Sequence, residues 1–434
     1  MASMSFIGAL GSALETGELG DLARSFPVLC QPEDARALVA AMPHLSARGT
    51  GRRAPIQVVA AYYQSAEDEA VVDVLRSGFP ELLALYDRAL LACAAPPGKY
   101  EPLTNDLLFA LKIFALWPSA GGSEALRRVI EGARDSRLRD GFLWSIILNI
   151  YGGENHPAAG AVAAQLASPL LVEGFAAIAF LDFVNTLCRR GELPTHPYAN
   201  DRGTRWLEAL LRDADNASYA HSATAALPFL GPDERAVLVP MAAAHPDPGV
   251  RMEAAWADLR SGGTAGLITL VAHCRDPHTS RRSQAYLREL GRADAIPREA
   301  LERNFLAMAE MSEWLQHPTE FGRAPERLPL VDTREMYWPP TDDRRHVWLF
   351  EYVYPATDDG READRGLGMV GSTTFALFGE TTVDLAPEDA YALHCCWELD
   401  TTGDPRAPKE RSIEAGRRLL SEVPPAFARA RDAT

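Results

Sequence analysis

The chain has 434 residues, 47% of them hydrophobic and 24% charged, with a formal net charge of −16. Apolar content at that level supports a sizeable buried core and excludes a wholly disordered chain. The acidic excess, −10 of it within residues 301–434, counts against a protein that binds duplex nucleic acid by neutralising phosphates; it is ordinary solubilising charge or a surface for a basic partner.

At the N-terminus, "MASMSFIGAL" lacks a basic leader and a sustained apolar core, so it does not read as a signal peptide. No apolar run approaches the roughly 20 residues of a membrane span. The stretches "APIQVVAAYYQSA", "AVVDVLRSG", "PELLALYDRALLACAA" and "NDLLFALKIFALW" show helical periodicity between Pro and Gly breaks. From residue 120 a repeat emerges: an apolar helix, a short turn, then a second helix. The turn residues are Asp135, Ser168, Asp215, Asp247 and Asp276. Successive turns lie 29–33 residues apart, except for a 47-residue step from Ser168 to Asp215 that leaves room for the insertion "CRRGELPTHPYANDRG". An Asp before a helix accepts hydrogen bonds from its orphan N–H groups, and Pro, as in Asp247-Pro248, is tolerated in the first turn.

The residues Asp247, Pro248, Val250, Arg251, Ala254 and Ala255, echoed by Asp276, Pro277 and Arg281, resemble the HEAT-repeat family. The resemblance covers residues 120–292 and, more loosely, 5–120. It implies a mainly α fold, an α-solenoid of helix pairs, in which the turn Asp and an Arg four or five residues on form a ladder between repeats. Stacked pairs bury a continuous core and present a concave surface lined by second helices. Trp144 and Trp256 share the position nine residues after the turn. That position is roughly 130° from the Val250/Ala254 stripe on a helical wheel. They are candidate partner anchors, with Tyr219 and Tyr286 on other second helices; packing between repeats is the competing role.

The period ends after residue 292. "DAIPREALERNFLAMAEMSEWLQ" reads as a helix and is followed by a Pro-rich boundary. "HVWLFEYVY" is apolar on both faces and reads as a well-covered strand. "GLGMVG", Gly366–Gly371, spells a dinucleotide fingerprint but lacks the strand before it and the helix after it that nucleotide binding needs. Its glycines are expected to permit positive φ or close backbone approach in a hairpin corner. "STTFALF-GE-TTVDL" reads as a hairpin with Gly379 at the turn, "APEDAYALHCCWEL" as a helix opened by Pro387, with a strand as the alternative, and "SIEAGRRLLSEV" as a last short helix. The expected organisation is a solenoid over 1–325, a small α+β cap over 326–400 and a tail with a short helix over 401–434.

No catalytic motif is present. His394, Cys395 and Cys396 are adjacent, so on a helix they point about 100° apart and cannot share one metal. His273, Cys274 and His278 straddle a turn without an evident fourth ligand. The other cysteines, Cys30, Cys93 and Cys188, lie in apolar stretches without C-x-x-C spacing, as free thiols in a reducing cytoplasm do. The sequence therefore points to no cofactor and no metal. The expected function is a cytoplasmic scaffold that binds a protein partner, favoured to be basic, in its groove. The alternative is an enzyme or small-molecule binder using a pocket between the solenoid and the C-terminal cap, with Trp348, Glu351, Tyr352, His394 and Trp397 as candidates.

Overall fold

The computed structural model describes residues 6–19, 22, 31–48, 53–93, 102–317, 319–356, 363–377 and 382–422. Cys30, Gly379 and the tail beyond Glu422 lie outside the described residues. Among the described residues the protein is 62% helical, with one four-stranded antiparallel sheet near the C-terminus. Backbone contacts divide it into two units, Met1–Val250 and Arg251–Thr434.

The first unit contains α1 (Phe6–Thr16), α2 (Pro32–Ala41), α3 (Pro55–Gln64), α4 (Glu69–Ser77), α5 (Phe79–Ala92), α6 (Pro102–Leu116) and α7 (Pro118–Arg134). It continues with α8 (Trp144–Tyr151), α9 (Ala159–Ala167), α10 (Gly174–Arg189), α11 (Asp201–Arg212), α12 (Ala217–Ala226) and α13 (Pro232–Ala243). The unit boundary falls in the first turn of α14 (Pro248–Arg260). The helix starts follow the local chemistry. Proline occupies the first turn of α2, α3, α5, α7 and α13, where its missing N–H costs nothing. Asp68 accepts from the amides of Ala70 and Val71 to start α4, and Asn200 accepts from Gly203 to start α11.

Each of the five turn residues lies between two helices: Asp135 between α7 and α8, Ser168 between α9 and α10, and Asp215 between α11 and α12. Asp247 separates α13 from α14 and accepts from the Val250 amide at 2.9 Å. Asp276 separates α15 (Gly266–His273) from α16 (Ser280–Glu289). Helices also pack on the next but one: α6 on α8, α8 on α10, α10 on α12, α5 on α7, α7 on α9 and α11 on α13. Two arginines of the expected ladder have other partners. Asp135 pairs with Arg137, at 2.6 Å, while Arg139 pairs with Glu173 and Arg281 with Glu313, at 2.9 Å. Arg139 reaches an acid just before α10 and Arg281 one on the helix Arg303–Leu315, where the resemblance implied a turn aspartate. The insertion after α10 is drawn into the core: Tyr198 is buried and donates to the Leu171 carbonyl at 2.8 Å, and buried His196 meets Asn185 at 3.0 Å.

The second unit holds α15, α16, α17 (Arg303–Leu315), the strands β1 (Leu330–Trp338), β2 (Asp343–Tyr354), β3 (Asp364–Val370) and β4 (Thr374–Leu377), then α18 (Pro387–Thr401) and α19 (Ile413–Ser421). The strands lie in sequence order, all antiparallel. Alternation along β2 explains its double apolarity. Val347 and Leu349, with Trp338, Leu367, Met369 and Leu377, pack on Tyr391, Cys395 and Leu399 of α18. Phe350, Tyr352 and Tyr354, with Val370 and Ala376, pack on Ala307, Met311 and Leu315 of α17. Because α17 covers one face of the sheet, it belongs with the strands, and the division lies upstream of the boundary expected at residue 325.

Two local expectations are corrected. Of the segment expected to be one helix from Asp294, only Arg303–Leu315 is α-helical; 3-10 turns at Ala293–Ala295 and Arg298–Leu301 precede it. The glycine segment is itself a strand: Gly366 pairs with Tyr352 and Gly368 with Phe350. The hairpin closes at Gly371–Thr373, where the Gly371 amide donates to the Thr373 carbonyl at 3.1 Å, and the described residues of the expected second strand, 382–385, are not extended strand. None of the three glycines has positive φ. Close approach is the reason for Gly366 and Gly368: a Cβ there would run into the Tyr352 ring and the Met311 thioether, respectively.

Candidate functional site

The two tryptophans singled out by the repeat are interior residues. Trp144 is fully buried and donates from Nε1 to the Leu138 carbonyl at 2.9 Å. Trp256 is 1% exposed, stacks on Tyr286 with centroids 5.2 Å apart, and carries the Arg260 guanidinium over its face. Beneath this stack, buried Glu253 accepts from Arg282 at 2.5 Å and from the Tyr286 hydroxyl. Burial and the Glu253 charge push the Tyr286 phenol well up. Trp144, Trp256 and Tyr286 therefore have almost no surface to offer a partner, which favours the packing role, and the Trp144 indole N–H and the Tyr286 hydroxyl are bonded within the core.

Tyr219 is different. It lies half-buried in the first turn of α12 and continues a row of aromatics across three successive second helices. Phe142, just before α8, stacks on Phe175 of α10 at 5.7 Å, and Phe175 meets Tyr219 at 6.5 Å. Phe142 is 71% exposed. Beside the row, a groove of about 370 Å³ runs between α8 and α10, lined by Ile146 and Asn149 on one wall and Ala179, Asp182 and Phe183 on the other. Ile146, in the first turn of α8, is 39% exposed. Sequence reading missed Phe142 and Phe175 because it followed the ninth position. The available signal was spacing: each lies seven residues after its turn residue, Asp135 and Ser168.

The second unit has a cleft of about 500 Å³ lined by Arg281, Glu310, Glu313, Trp314, His317 and Glu320, with Thr319 and Thr374. Arg281 is held by Glu313, and Thr374 donates to Glu310 at 2.7 Å. Three carboxylates against one guanidinium leave the cleft acidic.

The residues expected beneath the cap do not converge. Trp348 donates to Asn304 at 2.8 Å and lies against His346. Glu351 is paired with Arg365. Tyr352 is buried in the core toward α17. Trp397 is 41% exposed with Arg411 stacked on it at 3.7 Å. His394 is buried in α18 with neither ring nitrogen hydrogen-bonded, and burial drops its pKa to about 3. A neutral imidazole without a partner departs from the usual satisfied core histidine. Burial pushes the Cys395 thiol up to about 12, the opposite of what an activated nucleophile needs.

At the other turn, His273 meets Thr279 at 3.1 Å, His278 meets Ser312 at 2.7 Å, and Cys274 is buried. Among the described residues, no three His, Cys, Asp or Glu side chains are grouped to hold a metal, and no helix is long and apolar enough to cross a membrane. No family model, curated protein or solved structure matches the chain.

Proposed function

We propose that the protein is a scaffold whose first unit is an α-solenoid of HEAT-like helix pairs, binding a protein partner along the face of its second helices. The packing of helices on the next but one supports the stacking. The observation that carries the binding role is the row Phe142–Phe175–Tyr219 beside the α8/α10 groove. A large exposed aromatic that makes no core contribution is costly to present to water, and such residues anchor interfaces. The acidic cleft between Arg281 and Glu320, with the negative charge of residues 301–434, supports a partner that brings lysine or arginine.

Affinity capture from the native source, comparing the natural chain with Phe142→Asp and Phe175→Ala, tests this reading. A protein retained by the natural chain and lost in both variants, at unchanged melting temperature for Phe142→Asp, is the expected result. Identical retained proteins for all three would refute it.

A further inference from the structure

A second cavity lies in the first unit, away from the aromatic row's groove, between the end of α7, the α9–α10 turn and the start of α11. It has a volume of about 270 Å³ and is lined by Arg134, Arg139 and Arg202, by Glu173, and by the run Pro169–Val172. Three guanidiniums therefore face one carboxylate. Glu173 is already engaged by Arg139. Among the described residues, neither Arg134 nor Arg202 makes an ion pair.

Each arginine is placed at a cost that an anion would offset. Arg134 is fastened by neutral acceptors: its Nη2 donates to the carbonyls of Gln165, at 2.9 Å, and Pro169, at 2.8 Å. Burial and the neighbouring Arg202 charge hold its pKa below the usual guanidinium range. Arg202 lies in the first turn of α11, where the positive end of the helix dipole disfavours a cation. Arg139 has its Nε buried without a hydrogen-bond partner. The backbone is shaped to bring these groups together. Gly174 adopts φ +71°, and a Cβ there would meet the Arg139 side chain at 2.7 Å, so the turn approaches Arg139 as only glycine permits.

We propose that this cavity binds a phosphate-bearing ligand, its dianionic head between Arg134 and Arg202 and beside Arg139. The two uncompensated charges match a phosphate monoester, which carries −1.5 to −2 near neutral pH. The guanidinium fork matches phosphate oxygens in pairs. The buried Leu170 and Leu171 give the cavity an apolar wall for the group that carries the phosphate. The source is a free phosphate or a phosphorylated side chain, and the two are separable by experiment.

Isothermal titration of the full chain with inorganic phosphate, and with a short phosphoserine peptide and its unphosphorylated form, at constant ionic strength, provides the test. The expected result is saturable binding in at least one phosphate arm and none by the unphosphorylated peptide. Tighter binding of the phosphopeptide assigns a phosphorylated side chain; tighter binding of the inorganic ion assigns free phosphate. Arg202→Gln, an exposed change that leaves the melting temperature in place, should weaken binding about tenfold or more. Glu173→Gln, which removes the carboxylate that lines the cavity, should tighten it. Absence of saturable binding in both phosphate arms, or binding of equal strength in Arg202→Gln, would overturn the proposal.

Discussion

Gly368 shows how little room single residues have. Its missing Cβ makes way for the Met311 thioether from α17, so Gly368→Ala overpacks the face between sheet and helix. We expect a loss of about 1–3 kcal/mol in chemical denaturation. A neutral result would mean that Met311 moves aside freely. Trp144→Ala removes a fully buried indole and its hydrogen bond to Leu138; the expected loss is about 3–5 kcal/mol, which a partner anchor on the surface would not cause. Protonation has a similar reach. Asp106 is buried, accepts from the Ala54 amide at 2.6 Å, and is pushed by burial up to about 6 from 3.8. A carboxyl whose folded pKa is raised binds its proton more tightly in the native state, so its contribution to stability falls as pH rises from about 4 to 6. His196, dropped by burial to about 4 from 6.5, acts oppositely: its contribution is full above pH 6.5 and is lost as pH falls toward 4. Asp106→Asn should therefore gain stability relative to the natural chain between pH 4 and 6, by on the order of 2–3 kcal/mol. Urea denaturation across that range reads the difference, and parallel pH curves for the two proteins would contradict it.

The sheet depends on a few polar fastenings to its helices. Glu398 of α18 accepts from the Trp338 indole at 2.9 Å and from Ser372 at 2.5 Å, tying the end of β1 and the β3–β4 turn to one carboxylate. Glu398→Ala strands the buried indole N–H, so we expect a loss of about 1–3 kcal/mol. Glu398→Gln should retain part of it, since the amide oxygen can still accept. At this scale most of the fold was legible. The five turn residues each fall between two helices, because proline and aspartate act locally and leave a mark in the chain. The β2 strand and the α18 helix were legible for the same reason. The β3–β4 hairpin was not. Gly366 and Gly368 carry no side chain with which to display alternation, and their need for glycine comes from Tyr352 and Met311, distant in sequence. The proposed row was legible only in part. Tyr219 was singled out, but the ninth position, which leads to Trp144 and Trp256, faces the interior. Burial of those two side chains is set by neighbouring helices that no single-helix wheel contains.

For the whole molecule, the charge of −16 matters where it is concentrated. If the cleft at Glu310, Glu313 and Glu320 receives a cationic side chain, a short arginine-rich peptide should bind with an affinity that falls as salt rises. Glu313→Gln with Glu320→Gln should weaken that binding; an unchanged affinity would remove the basic-partner element of the account. The central claim is that a partner protein lies on the aromatic row. Hydrogen–deuterium exchange of the captured complex against the free chain measures this most directly. The account predicts slowed exchange over 142–149 and 175–186, with the same amides unprotected when Phe142→Asp is mixed with the partner. Protection confined to other segments, with these two unchanged, would contradict it.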